Sequence, residues 1–125
     1  MGAARTSRAA DVLEQQCPRA VFDRVTNRWA VLIFSALADG PRRFSELTAE
    51  VAGISEKMLS QNLKILVRAG LIERSVAPTV PPQVTYSLTA LGSDLAVTLH
   101  TLVHWVDDHT GTMVQARDRH DAGRS

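Results

Sequence analysis

A chain of 125 residues, 45% of them hydrophobic and 22% charged, has the size and mixture of one folded domain with its own core, which excludes a disordered tail and an array of domains. The longest apolar stretch, residues 29–38 broken by Ser35, is far short of the ~20 residues a membrane helix needs. Net charge is only +1, but residues 17–88 carry nine Lys/Arg against six Asp/Glu, and the remainder after Leu88 carries three against five, so any contact with DNA belongs to the middle of the chain.

Residues 1–16 read as an N-terminal arm, flexible or partly helical, with a turn or two of helix from Ala9 onward. They lack the apolar run of a secretory signal. The lone cysteine, Cys17, excludes an intramolecular disulfide framework and agrees with a reducing compartment. The expected location is cytoplasmic, with no membrane partner. Cys17-Pro18 opens a helix, proline being suited to the first helical position, with Val21, Phe22 and Val25 on its apolar side. A break at Asn27-Arg28 precedes an apolar helix over residues 29–38, which Asp39-Gly40-Pro41 ends. Residues 41–44 are short and extended. Ser45-Glu46 starts a second short helix, with Leu47 and Val51 facing inward and Gly53 as its stop.

Ser55 is a good N-cap, since its hydroxyl can accept a backbone N–H that the first helical turn leaves unpaired. The helix it starts runs to Ala69-Gly70. Residues 71–76 and 83–88 alternate as half-buried strands do, and the loop between them, Ala77-Pro78-Thr79-Val80-Pro81-Pro82, is stiffened by proline. Together they form a hairpin. Thr89 begins a long helix to about His109, with Leu91, Leu95, Leu99, Leu102 and Val106 recurring at three- and four-residue intervals. Beyond Gly111 the tail, residues 111–125, is polar and expected to fray.

At ~100° per residue the helix after Ser55 divides into two faces. Leu59, Leu63 and Leu66 centre the apolar arc, flanked by Met58, Ile65 and Val67, while Lys57, Ser60, Gln61, Lys64 and Arg68 form one continuous opposite arc. A helix that reads DNA needs this division, because one side must bury itself in its own domain while the other offers donors and acceptors. Gln and Ser can hydrogen-bond base edges, and Lys can reach guanine or phosphate. Such a face on an isolated helix is usually just solvated. Here a short helix and a glycine turn precede it and a stiff hairpin follows, which is the order of a helix-turn-helix with a wing.

The residues also resemble a known family. Arg28-Trp29, Gly40-Pro41-Arg42-Arg43-Phe44-Ser45-Glu46-Leu47, Gly53-Ile54-Ser55, Met58-Leu59-Ser60-Gln61, Ala69-Gly70-Leu71-Ile72-Glu73-Arg74 and Val80-Pro81-Pro82 followed by Tyr86-Ser87-Leu88-Thr89 occur in the order found in HxlR-type regulators, over roughly residues 17–106. The resemblance implies a mainly α fold with a small β-hairpin wing, shaped like MarR-type regulators, that dimerises through its terminal helices and binds a pseudo-palindromic double-stranded operator. Lys57, Ser60, Gln61 and Lys64 would enter the major groove, flanked by Ser55 and Arg68. Arg42 and Arg43 would grip phosphate, and the wing, with Thr79 and Gln83, would touch backbone or minor groove. Gln83 and Thr85 stand where the family commonly carries charge, and Asn27 where it often carries glycine.

This reading divides the chain into the arm at 1–16, a winged helix-turn-helix at 17–88, a dimerisation helix at 89–110 and the tail. Leu91, Leu95, Leu99, Leu102, Trp105 and Val106 would form the dimer seam, because a terminal helix after the wing has few partners left in so small a domain. Cys17, at the expected N-cap with Arg19 near, would be biased toward thiolate by helix dipole and cation, and some HxlR-type regulators use such a cysteine as a redox or electrophile switch; filling a helix start is the alternative role. His100 and His104, four apart with Asp107 on the same side, have a spacing that can serve a metal. No cysteine joins them and solvated faces often carry such pairs, so no metal or other cofactor is expected. The chain has no phosphate loop, nucleophile turn or specific metal motif of an enzyme. The leading expectation is a repressor with an oxidant or small-molecule effector. The alternatives are a metal- or small-molecule-responsive regulator and a winged-helix interaction module that does not bind DNA.

Overall fold

The computed structural model describes the backbone of residues 2–124 and the side chains of residues 8–15 and 19–124. Six helices and three strands follow one another as α1 (Gly2–Glu14), α2 (Gln16–Val25), α3 (Arg28–Ala38), β1 (Arg42–Arg43), α4 (Phe44–Glu50), α5 (Glu56–Arg68), β2 (Ile72–Ala77), β3 (Gln83–Leu88) and α6 (Ala90–Gly123). The expected class holds: a mainly helical winged fold with a small antiparallel sheet. Its strand order is β1-β3-β2. Arg42 faces Tyr86 across the short edge, and β2 and β3 pair from Ile72 opposite Leu88 to Ala77 opposite Gln83.

The core lies where α3, α4 and α5 meet the base of the hairpin. Ile33, Phe34 and Leu37 from α3, Leu47 and Val51 from the α4 region, Leu59, Leu63 and Leu66 from α5, and Ile72 from β2 are all buried in one cluster. Strand β2 differs from its expected half-burial. Ile72 is the single buried residue of β2, while β3 stays half-buried along most of its length, because only the base of the wing reaches the core.

Asn27 joins α2 to α3. Its Oδ1 accepts the Ala30 N–H at 3.0 Å and caps α3, while its Nδ2 donates to the carbonyls of Asp23 and Arg24 at 3.2 and 3.3 Å at the end of α2. Asparagine and glycine are both tolerated N-caps, and asparagine adds the side-chain bond. That explains how Asn27 substitutes for the family's glycine.

Helices α3 and α4 each begin one residue earlier than expected, and α4 ends at Glu50, ahead of Gly53; three other helix boundaries differ with more consequence. The arm is helical over all of Gly2–Glu14; its alanines favour helix and it contains no proline. Helix α2 begins at Gln16, with Gln15 as N-cap, so Cys17 is the second helical residue and not the cap. Pro18 is still accommodated, because the first four helical N–H groups have no partner within the helix, and the first such bond runs from the Arg19 N–H to the Gln15 carbonyl at 3.0 Å. Helix α6 does not end near His109 but continues to Gly123, 34 residues in all, or about 51 Å. Gly111 costs such a helix only ~1 kcal/mol, and no proline follows it.

Helix α6 is anchored at its start. Thr89 caps it, its Oγ1 accepting the Gly92 N–H at 3.0 Å and donating to the Gly70 carbonyl at 2.6 Å, while its own N–H donates to the Leu71 carbonyl at 3.2 Å. Buried Gly92 lies so close to that Leu71 carbonyl that a Cβ there would collide with it. Replacing Asn27 by Ala should cost about 1 kcal/mol of unfolding free energy in urea denaturation, whereas Asn27→Gly should cost only a few tenths.

Candidate nucleic-acid interface

The helix-turn-helix is set by one turn and one cap. Gly53 has φ +89, a conformation that disfavours a side chain, and the Trp29 ring sits 3.3 Å from where its Cβ would be. Two residues later Ser55 caps α5, its hydroxyl accepting the Met58 N–H at 3.1 Å. With Leu59, Leu63 and Leu66 buried, Lys57, Ser60, Gln61, Lys64 and Arg68 are all exposed. Among the described residues the ion pairs are Arg42–Glu50 and Arg117–Asp118, so none of the three cations on this face is neutralised.

The two arginines ahead of α4 behave differently. Arg42 is an anchor: its Nε donates to Glu50 at 2.9 Å and its Nη1 to the carbonyls of Pro41 and Gly40 at 3.0 and 3.3 Å, with only 22% of its side chain exposed. Its role there is to tie the corner before α4 to the end of that helix. Arg43 is exposed, and its Nη2 donates to the side-chain Oε1 of Gln83 at 2.9 Å. Gln83, the strand residue next to the tip loop of the wing, thus aims an arginine. At the tip, Thr79 donates from Oγ1 to the Pro81 carbonyl at 2.8 Å, the Val80-Pro81 peptide is cis, and Val80 is fully exposed.

The leucine series of α6 divides. Leu99 is buried and Leu95 half-buried against the core of the same chain, whereas Leu91, Leu102, Trp105 and Val106 are exposed, and every residue from His100 to Arg124 is exposed as well. Val97, Val103, Met113 and Val114 extend this apolar surface. A groove of about 920 Å³ runs between α3 and α6, walled by Leu32, Phe34, Leu37, Val97, Leu99 and Val103. His100 and His104 meet through their Nε2 atoms at 2.9 Å; among the described residues no group of three or more His, Cys, Asp or Glu converges on one point. No described helix is long and apolar enough to cross a membrane. The Cys17 side chain lies outside the described residues.

Sequence reasoning missed Asn62. It is 3% exposed on the inner side of α5, and its Oδ1 has no hydrogen-bond partner. The signal was its position three residues after Leu59 and four before Leu66, which puts it on the buried face.

A short helix, a tight turn, a capped helix buried on one side and polar on the other, and a hairpin beyond it define a winged helix-turn-helix transcriptional regulator, not an enzyme. The chain belongs to the HxlR-like helix-turn-helix family, whose profile matches residues 24–113. It is 41% identical over 113 residues to the HTH-type transcriptional regulator YtfH of Escherichia coli (strain K12), covering 90% of each chain. Among solved structures it is similar to the transcriptional regulator ytfH from Salmonella typhimurium, with TM-score 0.72 and 42% identity over 80% of this chain and 89% of that one. It also resembles diamide-treated YodB from B. subtilis, with TM-score 0.64 and 35% identity over 77% and 95%.

Asn62→Leu, which replaces the unpaired acceptor by an apolar side chain of the same branching, should raise unfolding free energy by about 1–2 kcal/mol in urea titrations.

Proposed function

We propose that the chain is a repressor that binds a pseudo-palindromic operator as a dimer, with one α5 in the major groove of each half-site. The observation that carries this reading is the continuous exposed face of Lys57, Ser60, Gln61, Lys64 and Arg68 on a helix whose other side is locked in the core. Gln61 and Ser60 supply base-edge hydrogen bonds, while Lys57 and Lys64 reach guanine or phosphate. Ser55 holds the start of the helix, and Arg68 flanks its end. Arg43, aimed by Gln83, meets the backbone beside the wing, and Thr79 stiffens the tip. Arg42 supports from behind. The contacts of Arg43 and the wing set register without reading sequence.

Pairing of two chains through α6 is supported by the exposed apolar residues Leu102, Val103, Trp105 and Val106 on a helix segment with no core of its own. Leu91 flanks the seam, and Leu95 and Leu99 back it from within each subunit. Oxidant or electrophile control through Cys17 is a second reading. It is favoured by the place of this residue in the first turn of α2, whose N-cap offers no side-chain bond, and by the similarity to YodB, which has been solved after diamide treatment. A helix N-terminus favours a thiolate over a thiol.

Selecting bound duplexes from a random pool should return a two-fold-symmetric site. Gln61→Ala and Lys64→Ala should each reduce the preference for that site by about 5- to 150-fold, as loss of ~1–3 kcal/mol of base discrimination predicts, with the melting temperature unchanged. Full discrimination in both variants assigns the reading to another face. If Cys17 is the sensor, diamide should shift operator affinity of the wild type and leave that of Cys17→Ser untouched; equal shifts in both remove the cysteine from the mechanism.

A further inference from the structure

We infer that Arg28 is an additional phosphate contact, held at the entrance of the reading helix by a stack on Trp29; the inference rests on the DNA-binding reading above. The Arg28 guanidinium carbon lies over the Trp29 ring, 4.3 Å from its centroid. One guanidinium nitrogen and the edge of that ring lie 4.0 and 3.3 Å from the Cβ position of Gly53. Gly53 belongs to the turn between α4 and α5, two residues ahead of the Ser55 cap. The chain has therefore brought a cation from α3 to the start of α5, the end at which a recognition helix meets the DNA backbone and groove.

Among the described residues no acidic partner accounts for a charge at this place. Arg28 is the first residue of α3, where the positive end of the helix macrodipole disfavours a cation. It is exposed, and the ion pairs of the described residues do not include it. A local electrostatic conflict of this kind, with a stacked ring but no counter-charge beside it, marks a group used for something outside the molecule. The stack supplies what a phosphate clamp needs. It holds the guanidinium plane against the indole face, which restricts the long side chain before DNA arrives, and it leaves the N–H edges free for paired bonds to phosphate oxygens. Lys57, in the first turn of α5, is exposed as well, so phosphates on either side of the helix entrance would each find a cation.

The competing role is a purely structural one, in which the aliphatic part of Arg28 covers the Trp29 ring. Arg28→Gln removes the charge, and Arg28→Met removes it while keeping an apolar cover on the indole. Binding of wild type and both variants to the selected operator and to an unrelated duplex should be titrated over a series of KCl concentrations, with melting temperatures measured alongside. The expected result is that both variants melt like the wild type and bind both duplexes about 5- to 20-fold more weakly at ~0.1 M salt. The slope of log K against log salt should be smaller in magnitude by about 0.9 for each phosphate that the variant leaves unneutralised. A wild-type slope in Arg28→Met overturns the inference, whether or not Arg28→Gln has lost stability. A wild type that binds neither duplex overturns the DNA-binding reading itself, a failure distinguishable from that of Arg28 alone.

Discussion

Burial of Leu59, Leu63 and Leu66 in the common core is the constraint on which the rest of the molecule depends. Each leucine taken fully from water contributes about 2 kcal/mol, and each belongs to the same cluster as Ile33, Phe34, Leu37 and Leu47. Turning α5 about its axis would expose those leucines and push lysines and glutamine into an apolar core, costs that add in the same direction. The polar face is therefore aimed outward by packing alone. Gly53 and Ser55 then set where that face begins, and Trp29, pressed against the turn, holds its position relative to α3.

This dependence explains which features were legible in the sequence. Helix α5, its cap and its two faces are local properties, written in residues three and four apart. The wing was legible through its alternation and its prolines. What stayed hidden depends on partners distant in the chain. Two residues such as Arg42 and Arg43 form a strand only because Tyr86 and Thr85 lie beside them. The division of labour between these arginines comes from Glu50 and Gln83, eight and forty residues away. Asn62 was hidden for a different reason: a polar residue inside an apolar arc looks like a boundary of that arc until its burial is measured. The length of α6 was misjudged because Gly111 and a polar composition resemble a helix end, although neither breaks a helix already propagating.

Helix α6 joins two regimes in one element. Its first third packs on α3 and contributes Leu99 to the core, and its remainder is exposed on all sides. A regular heptad or leucine series cannot reveal that change, because the residues keep the same spacing while their surroundings switch from protein to solvent. The exposed apolar side chains beyond Leu99 are more than a solitary helix in water would be expected to carry. The exposed polar face of α5 and this exposed apolar segment of α6 thus belong to different elements of a small domain.

The joint formed by Thr89, Gly92 and the Leu71 carbonyl has a mechanical consequence. It combines a hydroxyl shared between two backbone segments with a contact too close to admit a methyl group, and it lies just past the end of α5. Such a joint has no slack. The root of α6 and the end of α5 are therefore tied to one backbone segment, and a rigid helix with a reach of about 51 Å pivoting there carries its far end roughly 0.9 Å for each degree of rotation at the root. A displacement of several ångströms at the distal end thus corresponds to only a few degrees at this joint.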